Sequence, residues 1–212
     1  LEPTSVEIAG EDLELAAVDA HSGAPLALRG GPPAHRLHWL DPELAGHLDG
    51  IDGAFPEGGV RLGFVDADAA RERFLLRIET AERPPGLWLY EPGKPRLALL
   101  SPDHPQIARP AATEHFVYAA RDGLPIPAWL TLPGPREAGP WPTVILPHGG
   151  PWAHDRGGFD YWAQFLARRG IAVLQPNYRG STGHGTAHLA AGDGEWGRGM
   201  QDDLLDGLDA LV

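Results

Sequence analysis

The feature that most constrains the fold is a strand, an amphipathic stretch and a second strand in close succession. The first strand, Val144-Ile145-Leu146, ends in Pro147 and runs into His148-Gly149-Gly150-Pro151-Trp152. The second, Ile171-Ala172-Val173-Leu174, has no polar position, so both of its faces need cover. Between them Phe159, Trp162, Ala163 and Leu166 fall on one helical face, and Gly170 ends the helix. This order predicts a right-handed βαβ unit in a parallel sheet, hence an α/β fold.

The chain before this unit is built differently. Leu13, Leu15, Ala17 and Val18 lead into the turn His21-Ser22-Gly23, and Pro25–Leu28 leads away, which predicts an antiparallel hairpin over 12–28. Asp41 can cap a helix with Pro42 at its first position, and Leu44, Leu48, Ile51 and Phe55 repeat at helical spacing. Residues 60–100 alternate short apolar runs (Phe74–Ile78, Leu87–Tyr90, Leu97–Leu100) with turns such as Glu82–Gly86 and Glu91–Lys94. That is an antiparallel meander, as in a sandwich or a propeller blade. The proline-bearing stretch Ser101–Pro110 marks a boundary, giving domains 1–105 and 106–212. Beyond it, strands Glu114–Ala120 and Ile126–Leu132 flank Arg121-Asp122-Gly123, and a last helix from Gly199 aligns Met200, Leu204, Leu208 and Leu211.

Composition excludes several functions. With a net charge of −12, one lysine (Lys94) and scattered arginines, the chain is not expected to bind nucleic acid or an anionic membrane. The absence of cysteine removes disulfides, thiolate metal sites and a cysteine nucleophile. His184 and His188 are four apart, but Gly185 stands where an H-E-x-x-H helix needs its glutamate, so no metal is expected. No phosphate loop or Rossmann spacing is present, so no cofactor is expected either. No signal or transmembrane segment is visible, which leaves a cytoplasmic protein as the expectation.

His-Gly-Gly-Pro after a buried strand has the form of an oxyanion-hole loop in an α/β-hydrolase, where a backbone N–H from the loop after the third strand meets the developing oxyanion. Glycine suits this because a Cβ would block the substrate or forbid the backbone dihedrals. The alternative is a tight strand-to-loop turn with no catalytic duty.

Three linked segments make the comparison specific. VILPHGGPWAHD, then Gln175-Pro176-Asn177-Tyr178-Arg179-Gly180-Ser181-Thr182-Gly183, then Gly194-Glu195-Trp196-Gly197 with Met200-Gln201-Asp202-Asp203, resemble the prolyl oligopeptidase family in order and spacing. The nearest branch is that of acylaminoacyl-peptidases and dipeptidyl-aminopeptidases. The resemblance runs from roughly residue 112 onward, and 1–105 resembles the last part of the β-propeller that precedes the peptidase domain. It implies the N-terminal half of an α/β-hydrolase domain preceded by that antiparallel meander.

The resemblance also implies a serine peptidase acting on short peptides through an acyl-enzyme. The family's serine lies in a G-x-S-x-G elbow, which this sequence lacks. Ser181 comes nearest, with Arg179 in place of the first glycine. The chain begins without methionine, and its last helical pattern is still running at Val212. The expectation is therefore a fragment without the triad, inactive alone and needing the remainder of the hydrolase domain.

By resemblance Gly150, or less directly Gly149, supplies the oxyanion N–H, and His148 shapes the loop. Trp152 and Tyr178 are candidate pocket walls. Arg179 is a candidate for substrate contact or for pairing with Asp193, Glu195, Asp202 or Asp203. An esterase on the same fold and a non-catalytic binding module are the rival readings.

Overall fold

The computed structural model describes residues 6–8, 11–19, 22–30, 37–48, 50–55, 60–94 and 96–211. The expected turn residue His21 and the chain ends Leu1 and Val212 lie outside them. The chain divides into two compact units between Pro110 and Ala111.

The first unit holds two antiparallel four-stranded sheets, each in sequence order. One comprises β1 (Val6–Ile8), β2 (Glu11–Val18), β3 (Pro25–Gly30) and β4 (Leu37–Trp39). After it comes α1 (Pro42–Leu48), and Asp41 Oδ1 caps it by accepting from the Glu43 and Leu44 amides at 2.9 and 3.3 Å. The helix does not run on to Phe55 as its spacing predicts. Gly46, Gly50 and Gly53 lower its propensity, and Ile51–Ala54 tighten into a 3₁₀ turn. Leu44, Leu48, Ile51 and Phe55 are nonetheless all buried.

The other sheet comprises β5 (Arg61–Ala67), β6 (Phe74–Thr80), β7 (Arg83–Glu91) and β8 (Arg96–Pro102). Strict alternation in β6 turns Phe74, Leu76, Ile78 and Thr80 inward. Pro84, Pro85 and Gly86 belong to β7 and not, as the sequence predicts, to the turn before it. The pairing jumps from Thr80↔Arg83 to Ile78↔Gly86, so a bulge absorbs the two residues that cannot donate to a ladder. α1 and both sheets contribute to one apolar core.

The second unit is a mixed sheet of β9 (Thr113–Ala119), β10 (Pro125–Thr131), β11 (Thr143–Ile145) and β12 (Ala172–Pro176), in the order β11-β12-β10-β9. The predicted βαβ unit is present: β11 and β12 are parallel, joined through α2 (Tyr161–Ala167). The sheet is not parallel throughout, because β10 runs antiparallel to both β12 and β9. Every residue of β12 is buried, as its unbroken apolar run requires.

Both helical faces differ from the hydrophobic pattern. α2 buries Ala163, Gln164 and Ala167, while Trp162 is 61% exposed beside Tyr161 and Phe165. Asp160 caps the helix through the Ala163 amide, which puts Phe159 outside it. Gln164 is drawn inward because its amide closes on both backbone groups of Ala111, at 2.7 and 3.0 Å. After α3 (Thr186–Ala190), α4 (Gly199–Asp209) buries Met200, Asp203, Asp206 and Gly207. A Cβ at Gly207 would meet Tyr118 Oη at 2.8 Å and Leu174 Cδ2 at 2.9 Å, so glycine lets α4 lie close on the sheet. Among the described residues no helix is long and apolar enough to cross a membrane.

Candidate functional site

The site is built where β11 and β12 end. Leu146 N–H donates to Leu174 O at 2.8 Å, the last bond of the parallel pair, and the chain then leaves the sheet through Pro147. Gly150 adopts φ +134°, and a Cβ there would stand 2.7 Å from the Trp152 amide nitrogen. Only glycine fits that turn. Gly149 carries no such restriction, since a Cβ on it would meet nothing within 4 Å. The peptide between Gly150 and Pro151 is cis. The Gly150 N–H has no acceptor among the described residues, and Gly150 lines a cleft of about 330 Å³ with His148, Pro151, Tyr178, Trp196 and Met200.

The loop is bracketed from β12. Tyr178 stacks on the His148 imidazole, with centroids 4.6 Å apart and planes 12° from parallel, and its hydroxyl donates to His148 O at 2.9 Å. Asn177, fully buried, accepts from Asp155 N–H at 2.7 Å and donates to Asp155 O at 2.9 Å. Trp129 Nε1–H also donates to Asp155 O, at 3.0 Å. The segment after the Gly150 turn is thereby fixed to the strand ends. One Asp155 carboxylate oxygen is buried without a partner among the described residues, and burial, reinforced by Asp160, raises this group to about 6.

Ser181 and His148 resemble a nucleophile–base pair, with Oγ 2.8 Å from Nε2. They cannot act as one. Ser181 is 0% exposed, its Oγ also lies 2.6 Å from Tyr178 O, and His148 Nδ1 faces the Gly149 carbonyl at 2.9 Å instead of an orienting carboxylate. Burial lowers the His148 pKa from its ordinary value, against the smaller opposing effect of that carbonyl.

The predicted residues separate into three groups. Gly150 and Tyr178 meet at the cleft. Trp152 does not line it and is 71% exposed. Arg179 is engaged with carboxylates of the second unit. Its Nε and Nη2 reach Asp203 at 2.9 and 2.7 Å, its own amide donates to Asp203 at 2.9 Å, and Nη1 pairs with Asp122 at 2.8 Å. Asp203 is among the four acids expected as partners, whereas Asp122, from the β9–β10 turn, is not. Arg121 in the same turn pairs with Asp202 and Asp206, so three acids of α4 are held by two arginines. These contacts raise the Arg179 pKa, chiefly through Asp203. Sequence reasoning missed the cleft wall of Trp196, Gln201 and Leu204, although Trp196 and Gln201 lie in the motif segments themselves.

The fold has solved counterparts. The solved acylaminoacyl peptidase of Pyrococcus horikoshii matches with a TM-score of 0.56 at 21% identity, over 98% of this chain and 30% of that one. The family follows from sequence. Residues 158–212 match the family model described as the prolyl oligopeptidase family. Dipeptidyl aminopeptidase BIII of Pseudoxanthomonas mexicana is 34% identical over 182 residues, 82% of this chain and 26% of that relative. The acylamino-acid-releasing enzyme of Homo sapiens is 37% identical over 104 residues, 49% of this chain and 14% of that relative. The chain belongs to the prolyl oligopeptidase family, and it spans about a quarter of the length of the first of these curated relatives.

Proposed function

We propose that the chain is the segment of a serine peptidase in which the end of a β-propeller joins the first half of an α/β-hydrolase domain. The two in-order antiparallel meanders of the first unit suit propeller blades. In the second unit β11 is the third strand in chain order, and the loop after it is where an α/β-hydrolase places an oxyanion donor. The carrying observation is Gly150, which lines the cleft in a turn that excludes a side chain and whose N–H has no acceptor among the described residues.

In this reading a serine from the rest of the domain attacks a peptide carbonyl and its proton passes to a histidine. The oxyanion takes a hydrogen bond from Gly150 N–H, and the C–N bond breaks as the amine leaves with the proton. Water then hydrolyses the acyl-enzyme. The substrates are short peptides that lose N-terminal dipeptides or acylated residues, following the names of the relatives.

The test pairs the 212-residue chain with the longer gene product that contains it, using a fluorophosphonate probe and chromogenic dipeptidyl and acylaminoacyl amides. The longer protein is expected to label once and to cleave amides, and the chain alone to do neither. Labelling of the chain alone would overturn the placement of the nucleophile. Cleavage of esters without amides by the longer protein would make it an esterase.

A further inference from the structure

We propose that His154, His184 and His188 form an acid-released latch: as neutral rings they join the segment after the Gly150 turn, the loop after β12 and α3, and protonation parts them. The latch does not depend on the function proposed above.

The three rings stand in a column. His154 meets His184 edge-on with centroids 6.2 Å apart, and His184 meets His188 at 5.4 Å. Each ring comes from a different part of the second unit: His154 from the segment after the Gly150 turn, His184 from the loop after β12, and His188 from α3. The His154 ring also seats on Gly183, at φ +78°, where a Cβ would stand 3.1 Å from it.

Hydrogen bonds fix the protonation at both ends of the column. Arg156 Nε–H donates to His154 Nε2 at 3.2 Å, and a guanidinium only donates, so Nε2 is bare and Nδ1 carries the proton. Nδ1–H therefore donates to Thr182 Oγ1 at 2.9 Å, beside the bond from Thr182 N–H to Ala153 O at 3.0 Å. His188 Nε2 lies 3.0 Å from Asn177 O and 3.1 Å from Tyr178 O. Carbonyl oxygens only accept, so there Nε2 carries the proton. Through Tyr178 the latch reaches a wall of the cleft.

A second proton fits none of the rings well. On His154 it would set an imidazolium N–H against the Arg156 guanidinium. On His184 it would place a charge between two other imidazoles. On His188, which is 7% exposed, burial lowers the pKa below the ordinary 6.5, against smaller opposing effects of its two carbonyls. The charged groups facing His188 oppose each other: Asp203 favours a proton there, and Arg179, to which Asp203 is bonded, disfavours it. In the unfolded chain His188 binds its proton near 6.5, and in the fold only at lower pH. Its contribution to stability is therefore complete above 6.5 and is lost as the pH falls through the lowered value. Asp155, next to His154 in the chain, titrates with the opposite sign, and Asp155→Asn removes it from the test.

The test is hydrogen exchange read by mass spectrometry on the longer gene product carrying Asp155→Asn, at pH 7.5 and 5.0 with labelling times matched for the intrinsic rate. Peptides spanning 152–158 and 178–190 are expected to lose protection about 10-fold at the lower pH relative to peptides of β10, and unchanged relative protection would overturn the proposal. His154→Asn combined with His188→Gln keeps both amide donors near the nitrogens they replace, and neither residue titrates. Protection in that variant should be nearly the same at the two pH values, and a loss as large as its parent's would overturn the proposal. If the variant is already unprotected at pH 7.5, Arg156→Gln, on an exposed side chain, decides in its place. A smaller acid loss than the parent's then supports the latch, and an equal loss overturns it.

Discussion

Asp203→Leu is the most informative single perturbation of the second unit. Asp203 is 0% exposed and accepts three hydrogen bonds from Arg179, two of them from the guanidinium. Its loss leaves Arg179, itself 9% exposed, with Asp122 alone, and that carboxylate is half exposed to water. Removing one partner of a buried pair costs about 3–5 kcal/mol, because the remaining charge stays desolvated. With a urea slope of about 2 kcal/mol per molar, the midpoint should fall by about 2 M. Arg179→Leu combined with Asp203→Leu removes the stranded charge and leaves only the Arg179 N–H without its acceptor, a residual cost of about 1–3 kcal/mol. The assay is a urea titration followed through amide cross-peaks of β12 and α4, so that the second unit is read by itself. A single variant losing under about 1 kcal/mol, or a double variant less stable than the single, would refute the reasoning.

Two further expectations follow from the same region. Above the ordinary carboxyl value of 3.8 the unfolded chain ionises Asp155 while the folded loop retains its proton up to about pH 6, so stability should fall across that interval and stay lower above it. Asp155→Asn should abolish the fall and be more stable than wild type at pH 7.5 by about 2 kcal/mol, read from urea midpoints at pH 4.5 and 7.5. Gly157 has φ +67°, and a Cβ on it would stand 2.4 Å from the Trp129 ring. Gly157→Ala should therefore cost about 2–4 kcal/mol and alter the near-ultraviolet circular dichroism of the indole. Wild-type spectra would show that the loop yields without strain.

What was legible in the sequence and what was not divides along a physical line. Strands announced themselves where burial alone decides the residue, as in the alternation of Phe74, Leu76 and Ile78 and the unbroken run of β12. The glycine turn was legible because Gly150 has no substitute there. Helix faces misled where a polar side chain is buried for a partner distant in sequence. Gln164 turns inward to reach Ala111, 53 residues away, and Asp206 to reach Arg121, 85 residues away. An apolar moment counts such residues as solvent-facing, so the helical face it marks includes Trp162, which is exposed. Pro84 and Pro85 misled for the opposite reason: a register shift, invisible to local pattern, lets a strand carry residues that usually end one.

The candidate site extends that division into chemistry. The polar side chains in the segment after β12 are spent on the framework: Asn177 on Asp155, the Tyr178 hydroxyl on His148 O, Arg179 on Asp203 and Asp122, and Ser181 on its neighbours. What lines the cleft is Gly150, beside rings, apolar groups and Gln201. A backbone N–H cannot move a proton or form an acyl bond, but it can stabilise developing negative charge if its direction is fixed beforehand. The motif residues brace the turn that carries it: Tyr178 stacks on His148, the Tyr178 hydroxyl donates to His148 O, and the Ser181 hydroxyl donates to Tyr178 O. On the proposed function, these 212 residues therefore pre-organise the oxyanion site, and bond-making falls to the rest of the domain. Substitutions among His148, Tyr178 and Ser181 should accordingly lower kcat by misaiming one N–H, without abolishing fluorophosphonate labelling of the serine in the longer protein. Loss of labelling in step with kcat would mean that these residues instead build the nucleophile's own pocket.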